Sequence, residues 1–298
     1  MLHSMLKWLA ARGHQVTVVA ARLGQAGALD GVTVRTFNVE RWVERLFVEA
    51  DLAITHLDYT NEAVAHARAT GTPLVHLIHN SKQMEFYELT DESCQLAIFN
   101  SEWLADEVAW PHRSIVVNPP VFAEDYKTKP GDAILLANLT EGKGAHVFWK
   151  LAASMPERKF LAVLGAYGAQ VVPRQIPSNV ELIENTPDMK SIYGRTRLVV
   201  MPSVYESWGR VGVEAMASGI PVIAHPTPGL KESLGSAGIF CDRDESNRWI
   251  KAIRALDDSA AYDAAAKKAR ARSKQLDPTK QLEALEATFC DLGAEVAA

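Results

Sequence analysis

The chain of 298 residues is poor in cysteine, and its three thiols (Cys94, Cys241 and Cys290) are too far apart to form a metal-ligand motif. We expect them to be small buried side chains in a reducing compartment. No apolar run approaches the roughly 20 residues that cross a bilayer. The first residues also lack the basic-then-apolar pattern of a signal peptide. These absences predict a cytoplasmic protein without a transmembrane segment.

Excess charge is small as well. The net charge is −5, and no cluster of Lys and Arg extends beyond a few residues. This argues against nucleic acid as a partner. An apolar fraction of 48% beside a charged fraction of 22% is typical of a globular protein, and the length allows two α/β domains.

The chain alternates short apolar or β-branched runs with helical stretches, which predicts parallel sheets with right-handed crossovers. A Pro-, Gly- and charge-rich segment at 119–131 separates two such series. We predict an α/β fold of two Rossmann-like, doubly wound domains facing a cleft: 1–122, a linker at 123–131, 132–275, and a C-terminal helix at 276–298 that could pack back toward the first domain. The predicted strands are 15–20, 32–37, 52–55, 74–78, 96–99 and 115–118, then 133–137, 160–164, 180–183, 198–201, 220–224 and 238–241.

The stretch 39–50 has the spacing of an amphipathic helix. Its apolar face holds Val39, Trp42, Val43, Leu46, Phe47 and Ala50. Acidic and basic residues are mixed on the polar face, which favours a stripe that faces the core over one that lies on a membrane.

The segment 202–221, PSVYESWGRVGVEAMASGIP, is the most informative part of the chain. A strand runs into a loop with Glu206 and Gly209, and then into a helix with Glu214. Backbone amides at such a helix start can hold a diphosphate, and a carboxylate among them can accept hydrogen bonds from sugar hydroxyls. The alternative is an ordinary helix start whose acidic residues are well placed for the helix dipole.

Glu206 and Glu214 form an E-x7-E pair inside a longer pattern that resembles family 4 of the retaining glycosyltransferases, which have the GT-B fold. The loop at 137–144 (ANLTEGKG) is similar to the family's donor-phosphate loop and holds Lys143. The stretch 179–203 resembles the segment beside the nucleotide base. The run 74–79 (LVHLIH) resembles the strand that ends in the active-site histidine, and 9–19 resembles the first helix and second strand.

The resemblance implies a role for each matching residue. The catalytic set would be His79 at the reacting sugar, Lys143 at the leaving diphosphate and Glu206 at the hydroxyls of the transferred sugar. Glu214 would accept from the ribose hydroxyls. The other donor-binding positions would be Asn138, Gly144, Asn185, Ser207, Trp208, Gly209 and Arg210, several of them through the backbone. From its sequence alone, His79 could also be a capping or core histidine, which is the less favoured interpretation. His56 could equally line the cleft or be structural.

Two departures from the family pattern stand out. Asn138 occupies a position where the family usually has an arginine, so Arg210 or another cation would have to replace that charge. The chain begins within what the family makes its first helix, so the usual first strand and Gly-rich loop do not precede it. Either the chain starts late relative to the family, or its first domain is reduced and could associate with itself.

These patterns together predict a retaining, hexosyltransferase-like enzyme with a nucleotide-sugar donor, UDP- or GDP-sugar first, and an unidentified hydroxyl acceptor. We expect no metal and no further cofactor. Asp242 and Asp244 form a D-x-D, the metal–nucleotide motif of a different transferase fold, which we interpret as a turn. The alternatives are another GT-B enzyme, such as a nucleotide-sugar epimerase or a phosphorylase, and a catalytically weak nucleotide-sugar-binding protein.

Overall fold

The computed structural model describes residues 1–20, 27–36, 40–81 and 93–297. The chain forms two compact units. The first unit joins Met1–Pro120 to Pro278–Ala298, and the second unit is the continuous stretch Val121–Asp277. Residues 123–131 therefore belong to the second unit. Within the described ranges, no helix combines the length and the apolar character that a membrane crossing requires.

The first unit contains two sheets. In a three-stranded sheet, β1 pairs in parallel with β3, and β2 pairs antiparallel with β3. The second sheet has four parallel strands in the order β4-β5-β6-β7. The elements are α1 (Leu2–Ala11), β1 (Thr17–Ala20), β2 (Gly27–Leu29), β3 (Val32–Thr36), α2 (Glu40–Glu49), β4 (Ala53–Thr55), α3 (Thr60–Thr70), β5 (Leu74–Ile78), β6 (Leu96–Phe99), α4 (Glu102–Val108) and β7 (Ser114–Val116).

Helix α2 presents Val43 and Phe47 of its predicted apolar stripe to the core, whereas Ala50 lies beyond the helix end and is exposed. Val43 is 3% exposed. Phe47 packs against a cluster that contains Val64 and Leu74. Val39, which the prediction included in this helix, lies outside the described residues, and Val48 is on the exposed side.

The second unit contains one sheet of six parallel strands, in the order β10-β9-β8-β11-β12-β13. Helices follow most of the strands, as the alternating pattern predicts. The elements are α5 (Ala123–Tyr126), β8 (Ala133–Ala137), α6 (Ala145–Ser154), β9 (Phe160–Val163), β10 (Val180–Ile183), α7 (Met189–Tyr193), β11 (Thr196–Met201), α8 (Arg210–Ala217), β12 (Val222–Ala224), α9 (Pro228–Leu234), β13 (Gly238–Phe240), α10 (Ser246–Ala255) and α11 (Ser259–Gln275).

Each central strand of this sheet is buried on both faces. In β8, Ile134 and Leu136 pack into the core on one face. Leu135, which points the opposite way in the pleat, packs into the core on the other. Val199 and Val200 of β11 divide between the same two cores. This is why the strands read as unbroken apolar runs instead of alternating ones.

The last helix, α12 (Thr279–Ala297), belongs to the first unit. It buries a stripe of apolar side chains at helical spacing: Leu282, Leu285, Phe289 and Leu292. Its Glu286 forms an ion pair with Arg12 and a hydrogen bond with His14. Gln281 exchanges two hydrogen bonds of 3.1 Å with Asn118. The chain therefore returns to complete the unit in which it began.

Candidate functional site

The strand order of the second unit creates a crevice between β8 and β11. The chain runs outward from β8 through β9 and β10, and then returns to the other side of β8 with β11. Ligands of open α/β sheets bind at such a reversal, beyond the carboxyl ends of the strands. The loops that follow β8 and β11 meet at this place.

The loop after β8 closes tightly on the loop after β11. Gly144, with φ +86°, lies so close to its neighbour that a Cβ there would be 2.5 Å from Pro202 Cγ. The backbone N–H of Val204 donates to the carbonyl of Gly142 at 2.8 Å. Both the positive φ and the close approach require glycine at position 144.

This contact places Lys143 beside Glu206. The ammonium of Lys143 lies 2.5 Å from Glu206 Oε1, and the two side chains are 24% and 11% exposed. Ser203, which is buried, donates its hydroxyl to the same carboxylate oxygen at 3.0 Å. The structure thus joins two of the three predicted catalytic residues across 63 positions of sequence.

Helix α8 begins directly after this loop. Gly209 is its N-cap, with φ +80°, and a Cβ there would lie 2.3 Å from Leu230 Cδ2. Because glycine has no side chain to cap the helix, the first amides of α8 can face an anion, as the sequence predicts for this turn.

Glu214, one turn into α8, is held by two protein donors. Tyr193 donates its hydroxyl to Glu214 Oε2 at 2.8 Å, and Arg210 donates to Oε1 at 2.6 Å. Arg210 also donates to the hydroxyl of Tyr126 at 2.8 Å. Burial, together with the neighbouring carboxylate, raises the pKa of Tyr193 well above its usual range, so the phenol remains a donor.

The guanidinium of Arg210 faces Glu214 and Tyr126 in this structure. That Arg210 or another cation replaces the family's missing phosphate cation stays a prediction. Tyr126 and Tyr193 are members of the network that sequence reasoning missed. The i,i+4 spacing of Arg210 and Glu214 on a predicted helix could have indicated their ion pair. Nothing in the sequence around the tyrosines indicated their part in it.

Asn138 binds protein groups and anchors its own loop. Its φ is +69°, and its Oδ1 accepts from the backbone N–H of Thr140 at 3.1 Å. Gln170, another residue that sequence reasoning missed, donates to the same oxygen at 3.3 Å. The Oε1 of Gln170 accepts from the amides of Leu139 and Gly165 at 2.9 and 2.8 Å. Gln170 therefore ties the loop after β8 to the loop after β9.

The remaining predicted donor positions lie near the same edge of the sheet. Asn185 donates to the carbonyl of Leu164, just beyond the end of β9, at 3.3 Å. The indole of Trp208 is 3% exposed and packs with Val121 and Val213, with Leu276 beside them. Trp208 thus leaves only its backbone for a ligand. Ser207 lies between Trp208 and Glu206 in the loop.

The D-x-D is a turn, as predicted. The side chain of Asp242 accepts from the backbone N–H of Asp244 at 3.1 Å, and the Asp242 carbonyl accepts from the indole of Trp249 at 2.7 Å. In the part of the chain that the structure describes, no group of three or more His, Cys, Asp and Glu has the arrangement of a metal site.

The third predicted catalytic residue, His79, belongs to the first unit. It follows β5, and His56 follows the adjacent strand β4, so the two rings meet edge to face with their centroids 5.4 Å apart. Burial lowers the pKa of His79 to about 4, and the His56 ring contributes to that shift. Burial also lowers the pKa of His56. Both imidazoles are therefore neutral at pH 7 and can accept a hydrogen bond.

A third histidine lies beneath this pair. His76, within β5, is 1% exposed, and its Nε2 lies 3.3 Å from the hydroxyl of Thr60. Burial, followed by the neighbouring His56 and His79, lowers the pKa of His76 to about 3. His76 is thus a buried residue inside strand β5, while His56 and His79 lie just beyond the ends of β4 and β5.

Comparisons with known proteins show the family of the chain. The family model of the glycosyl transferases, group 1, matches residues 122–272, about half of the chain. The chain is 27% identical over 200 residues to the D-inositol 3-phosphate glycosyltransferase of Pseudarthrobacter chlorophenolicus, covering 58% of this chain and 48% of that protein. It is 21% identical over 224 residues to the O-antigen chain mannosyltransferase RfbU of Salmonella typhimurium, covering 73% and 54%. The chain spans about half the length of the curated relatives it matches.

A solved structure shows the fold. HepE of Anabaena, in complex with UDP and glucose, superposes with a TM-score of 0.80 at 19% identity, over 97% of this chain and 94% of that one. The predicted α/β GT-B fold is confirmed by this likeness and by the parallel sheets. Together with the sequence match over the second unit, these findings show that the chain belongs to the glycosyl transferases of group 1.

Proposed function

We propose that the chain transfers a sugar from a nucleotide-sugar donor to a hydroxyl acceptor with retention of configuration. The observation that carries this proposal is the meeting of Lys143 and Glu206 at the strand reversal between β8 and β11. One site there combines a cation, a carboxylate and the amides of a helix start. A nucleotide-sugar offers matching groups: a diphosphate for the cation and amides, and hydroxyls for the carboxylate.

The proposed roles follow from this arrangement. Lys143 and the first amides of α8 bind the diphosphate, and Glu206 binds hydroxyls of the transferred sugar. Glu214 binds the ribose hydroxyls. Its oxygens each accept one protein donor, and a carboxylate oxygen has room for a second. The stretch around Asn185 lies beside the base.

The chemistry assigned to these residues is electrostatic. As the bond between the sugar and the diphosphate breaks, negative charge builds on the leaving group, and Lys143 with the α8 amides stabilises it. The acceptor hydroxyl then attacks the same face of an oxocarbenium-like sugar and gives its proton to the departing diphosphate, which lies on that face. We propose that this requires no metal, because Lys143 already supplies positive charge at the diphosphate.

The names of similar proteins indicate which donors to try first. The HepE structure is described as containing UDP and glucose, and one curated relative is a mannosyltransferase. UDP-sugars are therefore the first class to test, followed by GDP-sugars. The acceptor is a sugar, cyclitol or other hydroxyl compound, to be found by competition once the donor is known.

A thermal-shift screen against UDP-, GDP-, ADP- and TDP-sugars tests the proposal, because a ligand that binds only the native state raises its unfolding midpoint. We expect one nucleotide class to raise the midpoint of the wild type and to raise it less in Lys143→Ala. Lys159→Ala is a matched control, since Lys159 precedes β9 at the opposite edge of the sheet and pairs with Asp132 at 2.7 Å.

Product analysis with the best donor separates the alternatives. Sugar transfer with retained anomeric configuration supports the proposal. Binding without turnover for any acceptor would favour a nucleotide-sugar-binding protein. Conversion of the donor to its epimer would favour a nucleotide-sugar epimerase. Phosphate-dependent release of a sugar phosphate would favour a phosphorylase.

A further inference from the structure

The ion pair between Lys143 and Glu206 occupies groups that the proposed reaction needs for the donor. The ammonium contacts Glu206 Oε1 at 2.5 Å, and Ser203 donates to that same oxygen. Both charged side chains are mostly buried, so water weakens their attraction less than it would at the surface. The positive charge of Lys143 is thus balanced by the negative charge of Glu206.

A diphosphate at the start of α8 must compete for Lys143. The carboxylate of Glu206 attracts the ammonium and repels the incoming phosphates, so it lowers the affinity of the site for any anion that does not also engage Glu206. A nucleotide-sugar can engage it, because its sugar hydroxyls donate to the carboxylate. A nucleoside diphosphate has no such sugar.

The second carboxylate of the E-x7-E pair is arranged differently. Glu214 takes its positive partner from Arg210 on its own helix, and its other oxygen accepts from Tyr193. Removing the charge of Glu214 would therefore leave the pairing of Lys143 unchanged. The two glutamates provide a matched comparison within one site.

We propose that Glu206 acts as an internal counter-ion for Lys143 and thereby makes the site select the nucleotide-sugar donor over the nucleoside diphosphate product. This inference rests on the proposed donor site. When the donor binds, its sugar hydroxyls replace Lys143 at Glu206, and the ammonium turns to the diphosphate. When the sugar has been transferred, the carboxylate regains Lys143 and the product loses its cation. Glu206 in this way speeds product release as well as binding the sugar.

The test is calorimetric titration of the full chain with UDP and UDP-glucose, with GDP, ADP and TDP and their glucose conjugates run alongside. Glu206→Gln keeps the shape of the side chain and removes its charge. We expect it to bind the nucleoside diphosphate about tenfold more tightly than the wild type. Its affinity for the sugar conjugate should not rise, so the preference for donor over product falls about tenfold. In stopped-flow displacement, the product should dissociate correspondingly more slowly.

Further variants show whether the gain in nucleoside diphosphate affinity depends on Lys143 and is specific to the charge of Glu206. In the background of Lys143→Gln, Glu206→Gln should bring no tightening, which a double-mutant cycle reports as coupling between the two residues. Glu214→Gln should weaken nucleoside diphosphate binding instead. Ser203→Ala removes a hydrogen bond to the same oxygen but leaves the charge, so its effect should be small. Thermal midpoints of all variants check that they fold.

The outcomes separate this inference from the proposed function. If nucleoside diphosphates bind and Glu206→Gln leaves their affinity unchanged or weaker, the counter-ion role is wrong and the donor site stands. A gain that persists without Lys143 also overturns the role. If only the sugar conjugates bind, to Glu206→Gln as to the wild type, the counter-ion role is wrong. If neither the nucleoside diphosphates nor their sugar conjugates bind the wild type or any variant, the donor site itself is wrong and the inference falls with it.

Discussion

The phenol of Tyr193 donates to the carboxylate of Glu214 at 2.8 Å, and both side chains are buried between α7 and α8. Tyr193→Phe keeps the ring and removes this donor. A hydrogen bond to a charged group contributes about 1.5–3 kcal/mol. We expect a loss of unfolding free energy near the lower end of that range, and nucleotide binding that is several-fold weaker because Glu214 is held by Arg210 alone.

Tyr126→Phe is the control for this change, since it removes a partner of Arg210 and leaves both bonds to Glu214. Denaturant unfolding and nucleotide titration measure the two effects. If Tyr193→Phe matched the wild type in both, the hydrogen bond would have no part in holding Glu214.

Restoring the family's arginine at position 138 should not improve the enzyme. Asn138 has φ +69°, a conformation in which an ordinary side chain costs roughly 1–2 kcal/mol. The arginine would also lose the hydrogen bond from the Thr140 amide. The side chain at 138 packs so closely on Gly165 that a Cβ there would lie 2.5 Å from Asn138 Cγ, so a longer side chain would clash. We expect Asn138→Arg to be less stable and to bind the donor no more tightly. A variant with wild-type stability and stronger donor binding would contradict this account.

Lys143 should act mainly in the transition state. We expect Lys143→Ala to lower kcat by about 10²–10³-fold, in the range measured for the loss of one group that stabilises developing charge. Lys143→Arg keeps the charge and should recover part of that loss. Steady-state kinetics with saturating donor distinguish this from a binding defect, which would raise KM and spare kcat.

Transfer should survive treatment with EDTA, because the positive charge of Lys143 lies where the diphosphate is proposed to bind. Activity is measured before and after chelation and dialysis, and with added Mn²⁺ or Mg²⁺. Loss of transfer on chelation with recovery on adding a metal would show that the leaving group needs a cation beyond those of the protein.

The first unit should lose stability as the pH falls below neutrality. His76 has a pKa of about 3 in the folded chain, against about 6.5 when unfolded. Below pH 6.5 the unfolded chain binds a proton that the folded chain does not. The free energy of unfolding should therefore fall as the pH is lowered from about 6.5 toward 3, by up to about 1.4 kcal/mol per pH unit.

Hydrogen exchange at pH 7 and pH 5, corrected for the intrinsic exchange rates, measures this loss in strand β5, with β8 of the second unit as reference. His76→Gln cannot bind the proton, so its β5 should respond less to pH. An equal response in the variant would assign the effect to His56, His79 or other groups.

The central strands of the second unit were predictable because they are buried on both faces. A run such as Ala133–Ala137 must be apolar throughout to fill two cores, and this gives a strong signal. Strand β2, Gly27–Leu29, was missed because it is short and fully exposed. Its hairpin had a signal nonetheless: Asp30-Gly31, with φ values of +52° and +80°, is a pair typical of two-residue hairpin turns.

Sequence spacing indicated which site residues lie close together only where they follow one another in the chain. Glu206, Gly209 and Glu214 lie on one loop and helix, so spacing indicated their proximity. The partner of Glu206 comes from a loop 63 residues earlier, and that of Glu214 from a helix 21 residues earlier. The positive φ of Asn138 could not be predicted either, because asparagine tolerates this conformation without requiring it. Which loops meet depends on the order in which the strands pair, and that order is not visible in the local sequence.

The second unit interrupts the first in sequence, and this sets the order in which the chain can fold during synthesis. The two ends of the second unit meet in the cluster around Trp208, so Val121–Asp277 can close on itself as soon as it has left the ribosome. The first unit must wait for α12, which supplies Glu286 to Arg12 and His14 and Gln281 to Asn118. At roughly 5–20 residues per second, that wait is on the order of 10 s or more. During that time the first 120 residues are synthesised but cannot complete their fold. Substitutions in α12 should therefore first increase the dependence of folding on chaperones.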